Sequence, residues 1–79
     1  MAVTRNSDYG RISFLGEKIK NKTASKLESD EYMKLLRSKG LINDDQYNSY
    51  LANKNADELI QGALVIGAIA LLAYLVGKS

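Results

Sequence analysis

The sequence predicts an all-α chain: a short helical hairpin followed by a single membrane-spanning helix, behind an irregular basic N-terminal arm. Two observations carry that prediction. Residues Leu59 to Gly77 form 19 successive positions without a charge, and residues 29–54 hold the start and stop signals of two short helices on either side of Gly40. The expected division is an arm over residues 1–28, a helical hairpin over 29–54 and a transmembrane anchor helix over 55–79.

Composition narrows the chemistry before any element is considered. Of the 79 residues, fewer than sixty precede the apolar run, which is close to the lower limit for a self-sufficient core. Cys and His are both absent. Disulfides and thiolate chemistry are thereby excluded, along with the usual transition-metal ligands and the commonest general base, leaving carboxylates, Lys, Tyr and Ser/Thr. A non-enzymatic protein is expected, with no catalytic residues, metal or cofactor. Asp44 and Asp45 lack the alternating spacing, the Gly and the terminal Glu of a calcium loop, and read instead as first-turn helix residues.

The arm is basic. Residues 1–26 carry Arg5, Arg11, Lys18, Lys20, Lys22 and Lys26 against Asp8 and Glu17, whereas residues 27–58 are mildly acidic, and the formal net charge of the whole chain is +2. Those six cations are the candidate contacts for an anionic surface, with lipid headgroups or a protein partner preferred over nucleic-acid phosphates. Ile12, Leu15 and Ile19, at spacings of 3 and 4, define one or two amphipathic turns. Gly16 weakens that helix, so the arm is expected to stay irregular until it meets a partner. No apolar stretch of a secretory signal follows the first charge, Gly is not at position 2, and a prenylation Cys is absent.

The hairpin is densely punctuated. Ser29 is the expected cap of a first helix, with Asp30 and Glu31 in its first turn, Tyr32, Met33, Leu35 and Leu36 on its apolar side, and Arg37 and Lys39 at its end. Gly40 is placed to take the left-handed position that closes the helix, with Leu41 folding back on it. Asn43 then caps a second helix, Gln46 completes a capping box, and Ile42 with Tyr47 forms a hydrophobic staple. Tyr47, Tyr50 and Leu51 continue its inner side to about Asn53. Asn55 with Glu58 marks a third start, placing the spanning helix from Ala56 or Asp57.

The segment MKLLRSKGLINDDQY resembles the SHOCT (short C-terminal) domain pattern, carried here by Met33, Leu36, Gly40, Ile42, Asn43, Asp44, Asp45, Gln46 and Tyr47. Gln46 stands where that pattern has Glu. The resemblance implies an oligomerising or docking hairpin without enzymatic activity. Its expected docking residues are Tyr32, Met33, Leu36, Ile42, Tyr47, Tyr50 and Leu51.

The apolar run is the anchor. At 1.5 Å per residue a 19-residue helix spans about 28 Å, close to the hydrocarbon thickness of a bilayer. Ala63, Gly67, Ala70, Tyr74 and Gly77 recur at spacings of 4, 3, 4 and 3 and form one small-residue face for helix–helix packing, in self-association or against another membrane helix. Opposite them lie Leu64, Ile69, Leu71, Leu72, Leu75 and Val76. Ten Lys and Arg precede the run and one follows, which favours the N-terminal part on the cytoplasmic side or facing a shell.

Together these features describe a single-pass membrane-anchored structural protein, whose architecture resembles minor virion proteins linking a membrane to a capsid shell in membrane-containing bacteriophages. A holin or other small membrane-permeabilising protein is one alternative, using the small-residue face to assemble pores. A filamentous-virion coat subunit is another, although that class carries a basic cluster after its apolar stretch and here only Lys78 follows. A soluble oligomeric bundle is the remaining one.

Overall fold

A computed structural model describes the backbone of residues 4–78 and the side chains of residues 8–77, and throughout them the regular structure is helical, as expected. The helices are α1 (Thr4–Lys20), α2 (Lys26–Ser38), α3 (Asp44–Leu51) and α4 (Ala56–Lys78). α1 and α3 each pack on both α2 and α4, and α2 also meets α4.

The irregular arm is corrected by the structure: residues 4–20 form a continuous helix. Ile12, Leu15 and Ile19, the three apolar positions legible in the sequence, are all buried against the other helices. Burial of an amphipathic face, more than intrinsic propensity, stabilises helices in proteins, and it outweighs the cost of Gly16. Gly16 lies against Tyr32 and Leu64, where a Cβ would make ordinary van der Waals contacts with Tyr32 Cε1 at 3.4 Å and Leu64 Cδ2 at 3.9 Å.

Each of the first three helices ends in the same way. After α2, Gly40 takes φ = 74°, its N–H donates to the Arg37 carbonyl (3.0 Å) and the Leu41 N–H to the Leu36 carbonyl (2.9 Å). This pair of bonds is the Schellman closure expected at Gly40. α3 closes on Asn53 (φ = 61°), with Asn53 N–H donating to Tyr50 O and Lys54 N–H to Ser49 O. α1 closes on Lys22 (φ = 61°), with Lys22 N–H donating to Ile19 O and Thr23 N–H to Lys18 O. A lysine in that conformation is unusual, because its Cβ crowds the following carbonyl.

The starts agree with expectation at α3 and differ at α2. Asn43 caps α3: its Oδ1 accepts from the Gln46 N–H (2.7 Å), while the Asn43 N–H donates to Gln46 Oε1 (2.9 Å). α2 begins one turn earlier than Ser29. Ser25 is its cap, with the Glu28 N–H donating to Ser25 Oγ (3.2 Å) and the Ser25 N–H to Glu28 Oε1 (2.9 Å). Ser25 and Glu28 satisfy each other's end of the box, so Ser29 falls inside the helix and Asp30 and Glu31 are released for tertiary contacts. Asn55 precedes α4 at φ = 54°, in the left-handed region, unlike the extended backbone of Ser25 and Asn43.

Candidate functional site

The two faces of α4 differ in what covers them. On the inner face Ala63 and Gly67 are buried, Ala70 and Tyr74 half-buried. Tyr32, on α2, inserts its ring here, and its hydroxyl donates to the Ala63 carbonyl at 2.9 Å. Gly67 lies one helical turn beyond that carbonyl. A Cβ on Gly67 would overlap the Tyr32 Oη and stand 3.1 Å from its Cζ, so only glycine leaves the phenol its place. Farther along, Tyr74 stacks on Tyr9 of α1 with ring centroids 4.3 Å apart.

The small-residue face predicted from the sequence is therefore a packing face, and the helices it packs against are this chain's own α1 and α2. Gly77 is the exception: it is exposed, and a Cβ there would meet nothing within 4 Å.

The outer face is apolar and open. Val65, Ile69, Leu72, Leu75 and Val76 are 57–73 % exposed. Val65, Ile69, Leu72 and Val76 recur at spacings of 4, 3 and 4, which aligns them along one side. Of the bulky residues assigned to that side, Leu64 and Leu71 instead turn partly inward onto the core. Val65 was not singled out by sequence; its regular spacing from Ile69 was the available signal. Residues Ala56–Gly77 are long and apolar enough to cross a membrane, and only 11 % of the most apolar stretch is buried by the other helices.

The docking surface assigned to the hairpin is largely turned inward. Tyr32, Met33, Leu36, Ile42 and Tyr50 belong to the core. Tyr47 is half-buried under the Arg37 guanidinium, which sits 4.7 Å from its ring centroid, and Leu51 stays half exposed. The sequence placed these residues on the correct faces of their helices, but α1 and α4 of the same chain are what those faces meet.

Three of the six cations assigned to an anionic surface, Arg11, Lys18 and Lys26, are likewise engaged within the chain. Arg11 makes a two-pronged pair with Glu31 of α2, Nε to Oε2 at 2.7 Å and Nη2 to Oε1 at 2.8 Å. Lys18 Nζ pairs with Glu28 Oε2 (2.9 Å) and Lys26 Nζ with Asp30 Oδ1 (3.0 Å). Asp8 closes the other end of the α1–α2 seam against Lys39 (3.0 Å). Lys20 and Lys22 are exposed at the end of α1, whereas the Arg5 side chain lies outside the described residues. Arg11 and Lys18 also flank the half-exposed Phe14 ring at 5.4 and 5.5 Å.

Titration behaviour follows this geometry. The Arg11 hydrogen bonds hold the Glu31 carboxyl below its usual range, and the Ser25 backbone N–H followed by Lys18 does the same for Glu28. At Asp30, burial works to raise the pKa, but hydrogen bonds from Tyr50 Oη (2.7 Å) and Lys26 together leave it lowered. Burial pushes the Tyr32 phenol up to about 12. Burial, reinforced by the bond to Asp30, also raises Tyr50. Among the described residues there is no cluster of three or more Asp and Glu able to hold a metal ion.

No protein-family model, characterised protein or solved structure matches this chain.

Proposed function

We propose that this chain is a non-enzymatic, single-pass membrane-anchored assembly protein, with α4 as its anchor and the α2–α3 hairpin as its water-facing part. The observation that supports this reading is the outer face of α4. A run of large aliphatic residues from Val65 to Val76 lies open to solvent on a helix of about 33 Å, long enough for the roughly 30 Å hydrocarbon layer. Monomeric soluble proteins rarely expose a continuous apolar strip of this kind. Acyl chains satisfy every side chain on it, and the helical backbone brings its own hydrogen bonds into the lipid.

The finer parts of the reading stand on the same division of labour. The capped hairpin, similar in pattern to the SHOCT domain, supplies the protein contact outside the lipid. The charge asymmetry between the ten Lys and Arg before the apolar run and the single Lys78 after it orients that part towards the cytoplasm or, in a virion, towards a capsid shell. A minor virion protein joining a membrane to its shell is the specific role proposed.

Expression in bacteria followed by flotation and alkaline extraction tests the anchoring. The full chain should float with membranes and resist extraction, while the membrane potential stays intact. Release into the supernatant contradicts anchoring, and collapse of the potential contradicts a scaffold.

A further inference from the structure

We infer that Tyr32 and α1 form an internal latch on α4, so that the four-helix bundle and the membrane-spanning helix are alternative states of one chain. The inference rests on the anchoring proposed above and adds how it is controlled.

Mutual exclusion is the first step. α1 runs antiparallel along α4: Ile19 and Ile60 line one cavity near the start of α4, Gly16 faces Leu64, and Tyr9 stacks on Tyr74 near its end. Were α4 to cross a bilayer with α1 still attached, Arg11, Glu17, Lys18 and Lys20 would be drawn into hydrocarbon. Each such charge opposes insertion even on the most permissive scale. Tyr32 would follow, bringing its neighbours Glu28 and Glu31 of α2. α4 therefore enters lipid only after α1 and Tyr32 have let go.

The latch has a firm point and a loose one. The firm point is Tyr32, buried, hydrogen-bonded to the Ala63 carbonyl and seated in the notch left by Gly67. The loose one is the far half of the α1–α4 seam, where Gly10, Ser13 and Ala68 leave an open groove of about 600 Å³ below Tyr9, Tyr74 and Leu75. Between Gly10, Ser13 and Ala68, α1 and α4 therefore share less contact than they do beside Tyr32. The ion pairs binding α1 to α2 are partly exposed and individually weak. The closed bundle thus shields the small-residue face in water, and opening frees it together with the anchor.

Two matched comparisons test the latch with the full chain, made without lipid and then offered vesicles of mixed zwitterionic and anionic phospholipid. The readout is the rate at which the chain becomes resistant to alkaline extraction. Gly67→Ala and Gly62→Ala each add one methyl group to α4, but only the former meets Tyr32, since the latter faces open space. Crowding a packed site weakens it enough that Gly67→Ala should insert about tenfold faster than the parent, with Gly62→Ala unchanged.

In the second comparison, Tyr9→Cys/Tyr74→Cys is joined by a short bis-maleimide in this otherwise Cys-free chain and set beside the same protein carrying separate maleimide adducts. The joined form should fail to insert and the separate adducts should insert. Equal rates for Gly67→Ala and Gly62→Ala, insertion of the joined form, or failure of the linker to bridge the two cysteines in water would each overturn the latch while leaving anchoring standing. A parent chain that never resists extraction would remove the anchoring and the latch together.

Discussion

Replacing Tyr32 by Phe removes one oxygen from a buried contact between α2 and α4. The Tyr32 hydroxyl is buried and donates at 2.9 Å to the Ala63 carbonyl, which as part of α4 keeps its own helical N–H partner. Phe therefore leaves no orphaned acceptor, and the ring keeps its place beside Gly16 and Gly67 in the apolar core. The cost reduces to the net value of one buried hydrogen bond, about 1 kcal/mol. Truncation to Ala would instead remove the whole ring and cost about 3–5 kcal/mol. With a urea dependence of about 1 kcal/mol per M for a chain this small, Tyr32→Phe should lower the unfolding midpoint by about 1 M. Tyr32→Ala should abolish the transition. Urea titration in lipid-free buffer, followed by far-ultraviolet circular dichroism, measures both. A midpoint unchanged by Tyr32→Phe and lowered only slightly by Tyr32→Ala would refute the idea that this side chain pins α4 to the bundle.

Further expectations follow from backbone and charge. Lys22→Gly should raise stability by about 1 kcal/mol, because Lys22 holds a left-handed φ of 61°, and Gly40→Ala at φ = 74° should lower it by a similar amount; thermal melts of the two variants check the pair. Asn43→Ala removes the side-chain acceptor for the Gln46 N–H and should cost about 1 kcal/mol, again read from the melting temperature. Glu28, Asp30 and Glu31 have carboxyls lowered in the folded chain, so the stability they contribute is complete above the ordinary carboxylate range. It is lost as pH falls through their folded values, and urea midpoints should decline below about pH 4. Tyr32 and Tyr50 are raised, so their contribution is complete below about pH 10 and lost as pH climbs towards 12 and above. Ultraviolet titration should show Tyr32 and Tyr50 ionising above the ordinary tyrosine range, together with loss of the bundle.

What the sequence made legible was local. Gly40, and Asn43 with Gln46, specify their turn and cap through residues within a few positions of each other, and the structure keeps both. The charge-free run from Leu59 to Gly77 announced a long apolar helix without reference to anything else in the chain. α1 was harder to read because Ile12, Leu15 and Ile19 yield a helix only when another surface buries them, and that surface is made by α2 and α4 many residues later. Ser25 went unread as a cap for a different reason: Asp30 and Glu31 looked like first-turn acids, and their partners Tyr50 and Arg11 lie twenty residues away in either direction. The small residues at Ala63, Gly67 and Ala70 announced that something approaches closely. Only the fold identifies Tyr32 as the group that does so at Ala63 and Gly67.

The claim that α4 crosses the bilayer meets its most direct test in Ile69→Trp, a single reporter on the outer face of a chain that contains no other Trp. In vesicles whose lipids carry bromines at defined depths, a spanning helix places this residue near the midplane, so the account predicts strongest quenching by the deepest bromines. Strongest quenching by bromines just beneath the headgroups, or none at any depth, would contradict it.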